Sequence, residues 1–128
     1  MELAIAASLR SEDPYVQVGS CILREDMSVA SVGYNGAPSG IEIDWSDRDE
    51  RRKRVVHAEI NALRYVKPNE GFILACTLLP CSPCVQTIAA HGIKHIIYKD
   101  VYQMDPLAPN LCEEFKIGLH EISKFIQV

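Results

Sequence analysis

His57 and Glu59 stand two positions apart in the apolar run VVHAEINAL, and Cys81 and Cys84 follow in LPCSPC, the first of them 24 residues after His57. A buried histidine or glutamate without a partner loses its hydration and gains nothing, so both side chains in that run need company. Cys81 and Cys84 form a C-x-x-C. Pro83 and the helical pattern behind it put both sulfurs at a helix N-terminus, where free amides and the helix dipole favour thiolate. Two thiolates and one imidazole make three zinc ligands, and a catalytic zinc keeps its fourth tetrahedral position for water. A structural site would want a fourth protein ligand. Cys21, Cys76, Cys112, His91, His95 and His120 all fall in strand or helix patterns without the close spacing that marks one. Glu59 lies about 200° round a helix from His57, so it does not ligate along the same direction. It reaches a water in the open position from the side instead. Zinc lowers the pKa of such a water to about 7, so a carboxylate can take its proton and hand it on, as base first and acid later. A scaffold zinc site or a redox C-x-x-C has no use for Glu59.

Elements must carry these residues to one place. ELAIAASL reads as a short helix, closed at Pro14 of SEDP. VQVGSCILRED and MSVASVGY read as strands that pair as a hairpin around residues 24–28. NGAPSG is a loop, because Ala37-Pro38 argues against a returning strand. Residues 41–54 turn from acidic (Glu42, Asp44, Asp47, Asp49, Glu50) to basic (Arg51, Arg52, Lys53, Arg54) and suit a surface loop or short helix. VVHAEINALRYV is a helix stopped by Lys67-Pro68, and GFILACTLL is a strand apolar enough to be covered on both faces. VQTIAAHG is a helix ended by Gly92, and IKHIIY is another buried strand. Residues 100–110 read as irregular, LCEEFKIG as the last helix and LHEISKFIQV as the last strand. Two strands followed by helix–strand–helix–strand–helix predict an α/β fold. Its form is a three-layer α-β-α sandwich around a central mixed sheet of about five strands, in a single domain over residues 1–128.

The bulk numbers agree with a chain of that kind. An apolar fraction of 48% and a charged fraction of 23% are those of a soluble globular protein. No apolar run approaches the ~18 residues of a membrane span, and MELAIAASLR lacks the basic start of a secretory signal. The expected location is cytoplasmic, with no membrane partner. Five cysteines are an odd count, which in a reducing compartment means buried, catalytic or metal-bound thiols rather than bridges. A net charge of −4 leaves no global footprint for a stable nucleic-acid partner, so an anionic ligand must be held by local cations.

H-A-E followed by P-C-S-P-C matches the H-x-E…P-C-x-x-C signature of zinc nucleobase deaminases. SEDPYVQVGSCI, GYNGAPSG, HAEINAL and PCSPC together resemble the deoxycytidylate (dCMP) deaminases, over most of residues 3–98. GYNGAPSG is the most telling stretch, since tRNA adenosine deaminases and free-nucleoside cytidine deaminases are similar to the other parts but not to this loop. The resemblance implies a cytidine deaminase-like fold and hydrolytic conversion of dCMP to dUMP and ammonia, feeding thymidylate nucleotide synthesis. It also implies one catalytic Zn2+ per subunit and a homo-hexamer. In many members it implies activation by dCTP and inhibition by dTTP, with Mg2+ accompanying a triphosphate effector.

Carried over position by position, His57, Cys81 and Cys84 match the zinc ligands and Glu59 the proton shuttle. Asn35 matches the loop asparagine that hydrogen-bonds the nucleoside, and Ala58 the residue whose backbone meets the pyrimidine edge. An amide suits Asn35's task because it offers donor and acceptor, while Gly33 and Gly36 let the backbone come close. Arg51 and Arg54, in the basic half of residues 41–54, are expected to hold the substrate 5′-phosphate, which guanidinium forks fit well. Two rival readings are a deaminase of free cytidine or tRNA adenosine, and a catalytically silent subunit that senses nucleotides. The tRNA enzyme calls for a basic surface, which the acidic balance disfavours. The sensor has no need of Glu59.

Overall fold

A computed structural model describes residues 1–102 and 105–125. The helices are α1 (Glu2–Ser8), α2 (Arg48–Arg52), α3 (Ala58–Leu63), α4 (Ser82–Ala90), α5 (Leu107–Glu114) and α6 (Ile122–Phe125). The strands are β1 (Gly19–Leu23), β2 (Val29–Tyr34), β3 (Ile73–Leu78), β4 (His95–Asp100) and β5 (Gly118–Glu121). They form one five-stranded sheet in the order β2-β1-β3-β4-β5. β1 is antiparallel to both β2 and β3, while β4 runs parallel to β3 and to β5. The expected central mixed sheet of five strands is therefore present. No helix among the described residues is long and apolar enough to cross a membrane.

Side-chain alternation assigns each face of the sheet. Ser20 pairs with Gly33 on one side and with Cys76 on the other, so these three share a face. On that face lies α3. The Ser20 hydroxyl donates to the Ala58 carbonyl at 2.8 Å, and the Ser31 hydroxyl donates to the Ala62 carbonyl at 2.8 Å. Gly33 allows the helix to come this close, because a Cβ there would stand 2.5 Å from the Ala62 nitrogen and 2.6 Å from the Ala58 oxygen. Gly19 points the other way, where α1 packs directly upon β1. The main core fills the α3 side. Ile22, Leu74 and Ile96 from the sheet meet Leu63 from α3, Val85 and Ile88 from α4, and Leu111 and Cys112 from α5. Each such buried aliphatic side chain contributes about 1.5–3 kcal/mol by leaving water.

The hairpin closes where expected, with the Arg24 amide donating to the Ser28 carbonyl at 2.9 Å. Other boundaries differ from the sequence expectation, each for a local reason. β1 begins only at Gly19, because the Val16 and Val18 amides go to side chains, Asp13 and Asn35 respectively. Helix α3 is shorter than VVHAEINALRYV, since Val56 exchanges both backbone hydrogen bonds with Gly36 and stays extended. Residues 100–110 are not irregular throughout. Pro106 caps α5 and Pro109 sits in its first turn, where a missing N–H costs nothing. The last strand ends at Glu121 and turns into α6, while residues 126–128 of LHEISKFIQV lie outside the described residues.

Candidate active site

Two helices begin side by side on the core face. His57 is the N-cap of α3 and Cys81 the N-cap of α4, both extended, and neither side chain caps its own helix. Imidazole and thiol are therefore left to meet each other. The His57 Nδ1 lies 3.2 Å from the Cys84 sulfur and 3.6 Å from the Cys81 sulfur. All three ligand atoms fall within 4.8 Å of one another. A tetrahedral zinc with bonds of about 2.0–2.3 Å spaces its ligand atoms on this scale, and two sulfurs with one imidazole are a donor set that zinc favours. The residues present fit that ion. Asp105 steadies the turn between the cysteines: it accepts from the Ser82 amide at 2.8 Å and from the Leu107 amide at 3.2 Å, tying the start of α4 to that of α5.

The electrostatics favour an anionic sulfur here. A hydrogen bond from the Cys84 thiol, with a further one to His57, draws Cys81 down to about 4, while the same bond and burial push Cys84 up. The Cys81 bond also raises His57, with the Glu59 charge adding to it. Glu59, in the first turn of α3, is 4% exposed, and its burial raises its carboxyl above the usual range. The His57 charge opposes that rise.

A cavity of about 290 Å³ opens on this cluster. Its lining includes His57 and Cys81 with the buried Glu59, taken as its floor, the apolar Val16, Val18 and Leu78, and the exposed Arg52 and Tyr102, taken as its mouth. Asn35 and Ala58 are among the residues that line it. Asn35 is itself tightly held: its oxygen accepts from the Val18 amide at 2.8 Å, and its nitrogen donates to the Val16 carbonyl at 3.0 Å and to Asp13 at 3.3 Å. Ala58 has its carbonyl taken by Ser20, but as the first residue of α3 its N–H has no earlier helical carbonyl to meet.

The structure divides the cations differently from the sequence reading. Arg51 lines the cavity but is 4% exposed and ion-paired with the fully buried Asp13 carboxylate. Its guanidinium also lies over the Tyr15 ring, 4.9 Å from the centroid. Arg54 is exposed, bonded to the Glu50 carbonyl at 2.9 Å, and away from the cavity lining. Gly36 belongs to a separate hollow beyond the NGAPSG loop, with Trp45 and Tyr65. Among the described residues the exposed cation that lines the cavity is Arg52, and Tyr102 lines it too, its hydroxyl accepting from Arg48 at 2.6 Å. Sequence reasoning passed over Asp13 and Asp105, had Arg52 only as one member of the basic run Arg51–Arg54, and read Tyr102 as a core or rim residue and Cys76 as a small buried hydrophobe. An aspartate immediately before Pro14 in a loop was a signal for Asp13, since such carboxylates fold back on nearby amides.

Three metal-ligating residues at two helix starts, with a buried glutamate in the first turn of one of them, make a zinc-dependent deaminase type of site. Residues 1–100 match the model of the family described as the cytidine and deoxycytidylate deaminase zinc-binding region, and the chain belongs to that family. The deoxycytidylate deaminase of Mus musculus is 34% identical over 110 residues, covering 77% of this chain and 61% of that one. A probable deoxycytidylate deaminase of Caenorhabditis elegans is 35% identical over 106 residues, covering 77% and 54%. The chain thus spans about three fifths of the length of the curated relatives it matches. The dCMP deaminase of cyanophage S-TIM5, crystallised with dCMP and dUMP, superposes with a TM-score of 0.83 at 26% identity, over 94% of this chain and 91% of that one.

Proposed function

We propose that this chain deaminates dCMP hydrolytically to dUMP and ammonia, with one zinc ion held by His57, Cys81 and Cys84. The observation that carries this reading is the buried Glu59 on the cavity floor, next to three converging metal-ligating atoms. Zinc, when bound there, supplies the Lewis acidity that makes water a nucleophile at neutral pH. Glu59 takes the proton that this water gives up and delivers it to N3 of the pyrimidine. It then moves the second proton to the amino group leaving C4, so that the C4–N bond breaks as the C4 carbonyl forms and Glu59 ends as it began. The Ala58 N–H is the group offered to the pyrimidine edge. Asn35, fixed by Val16, Val18 and Asp13, shapes the wall beside the sugar. Water is limited by the apolar wall of Val16, Val18 and Leu78.

The 5′-phosphate falls to Arg52 at the outer end rather than to Arg51 or Arg54. Arg51 already neutralises Asp13, and Arg54 faces solvent with Glu50. The similarity to the S-TIM5 enzyme, which binds dCMP and dUMP, supports a monophosphate substrate over a free nucleoside. A panel of dCMP, deoxycytidine, cytidine and an anticodon stem-loop, scored for ammonia release, tests the choice. We expect dCMP to lead by a wide margin in kcat/KM, and a preference for nucleoside or tRNA overturns it. Elemental analysis of the same preparation should return one zinc per chain. Control by dCTP and dTTP, and assembly as a hexamer, belong to the same reading; turnover with each triphosphate and sedimentation of the active species test them.

A further inference from the structure

Glu59 must present its carboxylate at one angle, yet it is a flexible side chain, held from α3 by its own backbone and from α4 by Cys84, which the proposed zinc would also claim. A neighbour outside the metal-ligating set that can fix it comes from the sheet. Cys76, in the middle of β3, is fully buried on the face that meets α3, and its sulfur lies 3.4 Å from the Glu59 Oε1. From the structure we infer that Cys76 is a positioning residue for the proton carrier, its S–H donating to Oε1 and so leaving Oε2 as the oxygen turned to the substrate. This rests on the role proposed for Glu59 above.

Three further observations fit this assignment. Cys76 is 0% exposed, so on its side of Glu59 no solvent is at hand to replace the bond, and a buried carboxylate oxygen left without a donor would be costly. Burial and the adjacent Glu59 charge raise the Cys76 thiol well above its ordinary value, which keeps it in the protonated form that donates. The sheet also fixes the donor's position: Cys76 is paired with Ser20 on β1 and Tyr98 on β4, and Ser20 holds the Ala58 carbonyl, one residue before Glu59. Backbone and carboxylate of the same turn are thus referred to one pair of strands. A cysteine that only filled space would be replaceable by any side chain of similar bulk, whereas one that aims Glu59 is replaceable only by another donor.

The test compares Cys76→Val, which keeps the bulk and removes the donor, with Cys76→Ser, which restores one. For Cys76→Val we expect kcat for dCMP to fall about 10- to 100-fold with KM unchanged, at wild-type zinc content and a melting temperature close to wild type. Cys76→Ser should recover most of the loss. A Cys76→Val kcat within about threefold of wild type overturns the assignment. So does a loss that Cys76→Ser fails to recover. Should Cys76→Val not fold, Cys76→Ala takes its place on the same criteria. A second measurement needs no turnover. The infrared S–H stretch that disappears in Cys76→Val should move to higher frequency in Glu59→Gln, as the acceptor changes from carboxylate to amide. An unmoved band overturns the contact even if the chain proves to act on another substrate, so the two readings fail separately.

Discussion

The floor and the mouth of the cavity are built by different rules. At the floor, His57 and Cys81 are N-caps and Cys84 and Glu59 lie in first turns, so backbone geometry sets where four functional groups start from. At the mouth, Arg48, Arg51 and Arg52 project from a five-residue helix, and one step of register decides which is buried against Asp13 and which stands exposed on the cavity. A site laid on helix starts is written in residue spacing. One laid on a short, charged helix depends on which residue finds a buried partner.

Four substitutions set the two regions against each other. Glu59→Gln should have the largest effect, lowering kcat on the order of 10³-fold while zinc content and melting temperature hold, as ammonia release and elemental analysis would show. Turnover near wild type would remove the floor's claim to the chemistry. Arg51→Met comes next, and its cost is to the fold: it strands the buried Asp13 carboxylate and should lose about 3–5 kcal/mol in urea unfolding. Pairing it with Asp13→Asn should return part of that loss. Arg52→Ala should raise KM for dCMP about tenfold, roughly 1.4 kcal/mol, with kcat and the slow turnover of deoxycytidine little changed. An equal rise in KM for deoxycytidine would move the phosphate elsewhere. Arg54→Ala should be the smallest, below about 0.5 kcal/mol in stability and silent in KM, because its ion pair with Glu50 is exposed.

The same contrast explains what the sequence disclosed. H-A-E and P-C-S-P-C each open a helix, so their chemistry and their placement were readable together, and the alternation of apolar strands with helices was enough to give the sandwich. Val55 and Val56 carry the signature of helix or strand equally well, and only the distant pairing of Val56 with Gly36 resolves them. Pro106 and Pro109 looked like breakers because proline is a breaker everywhere except at a helix start, and the start is set by packing on β5 and α4. Arg51 and Arg52 are indistinguishable as types. Their fates diverge through Asp13, 38 residues away in sequence.

Gly33 carries a consequence for any attempt to redesign this protein. With the Ala58 oxygen and Ala62 nitrogen pressed against its bare Cα, it behaves as the missing shim between sheet and helix. A single methyl inserted there would jack α3 away from β2 and carry His57 and Glu59 with it, while Cys81 and Cys84 stayed seated on α4. The metal triangle would open from a position that touches none of its corners, so a library built around the pocket should leave that strand position alone.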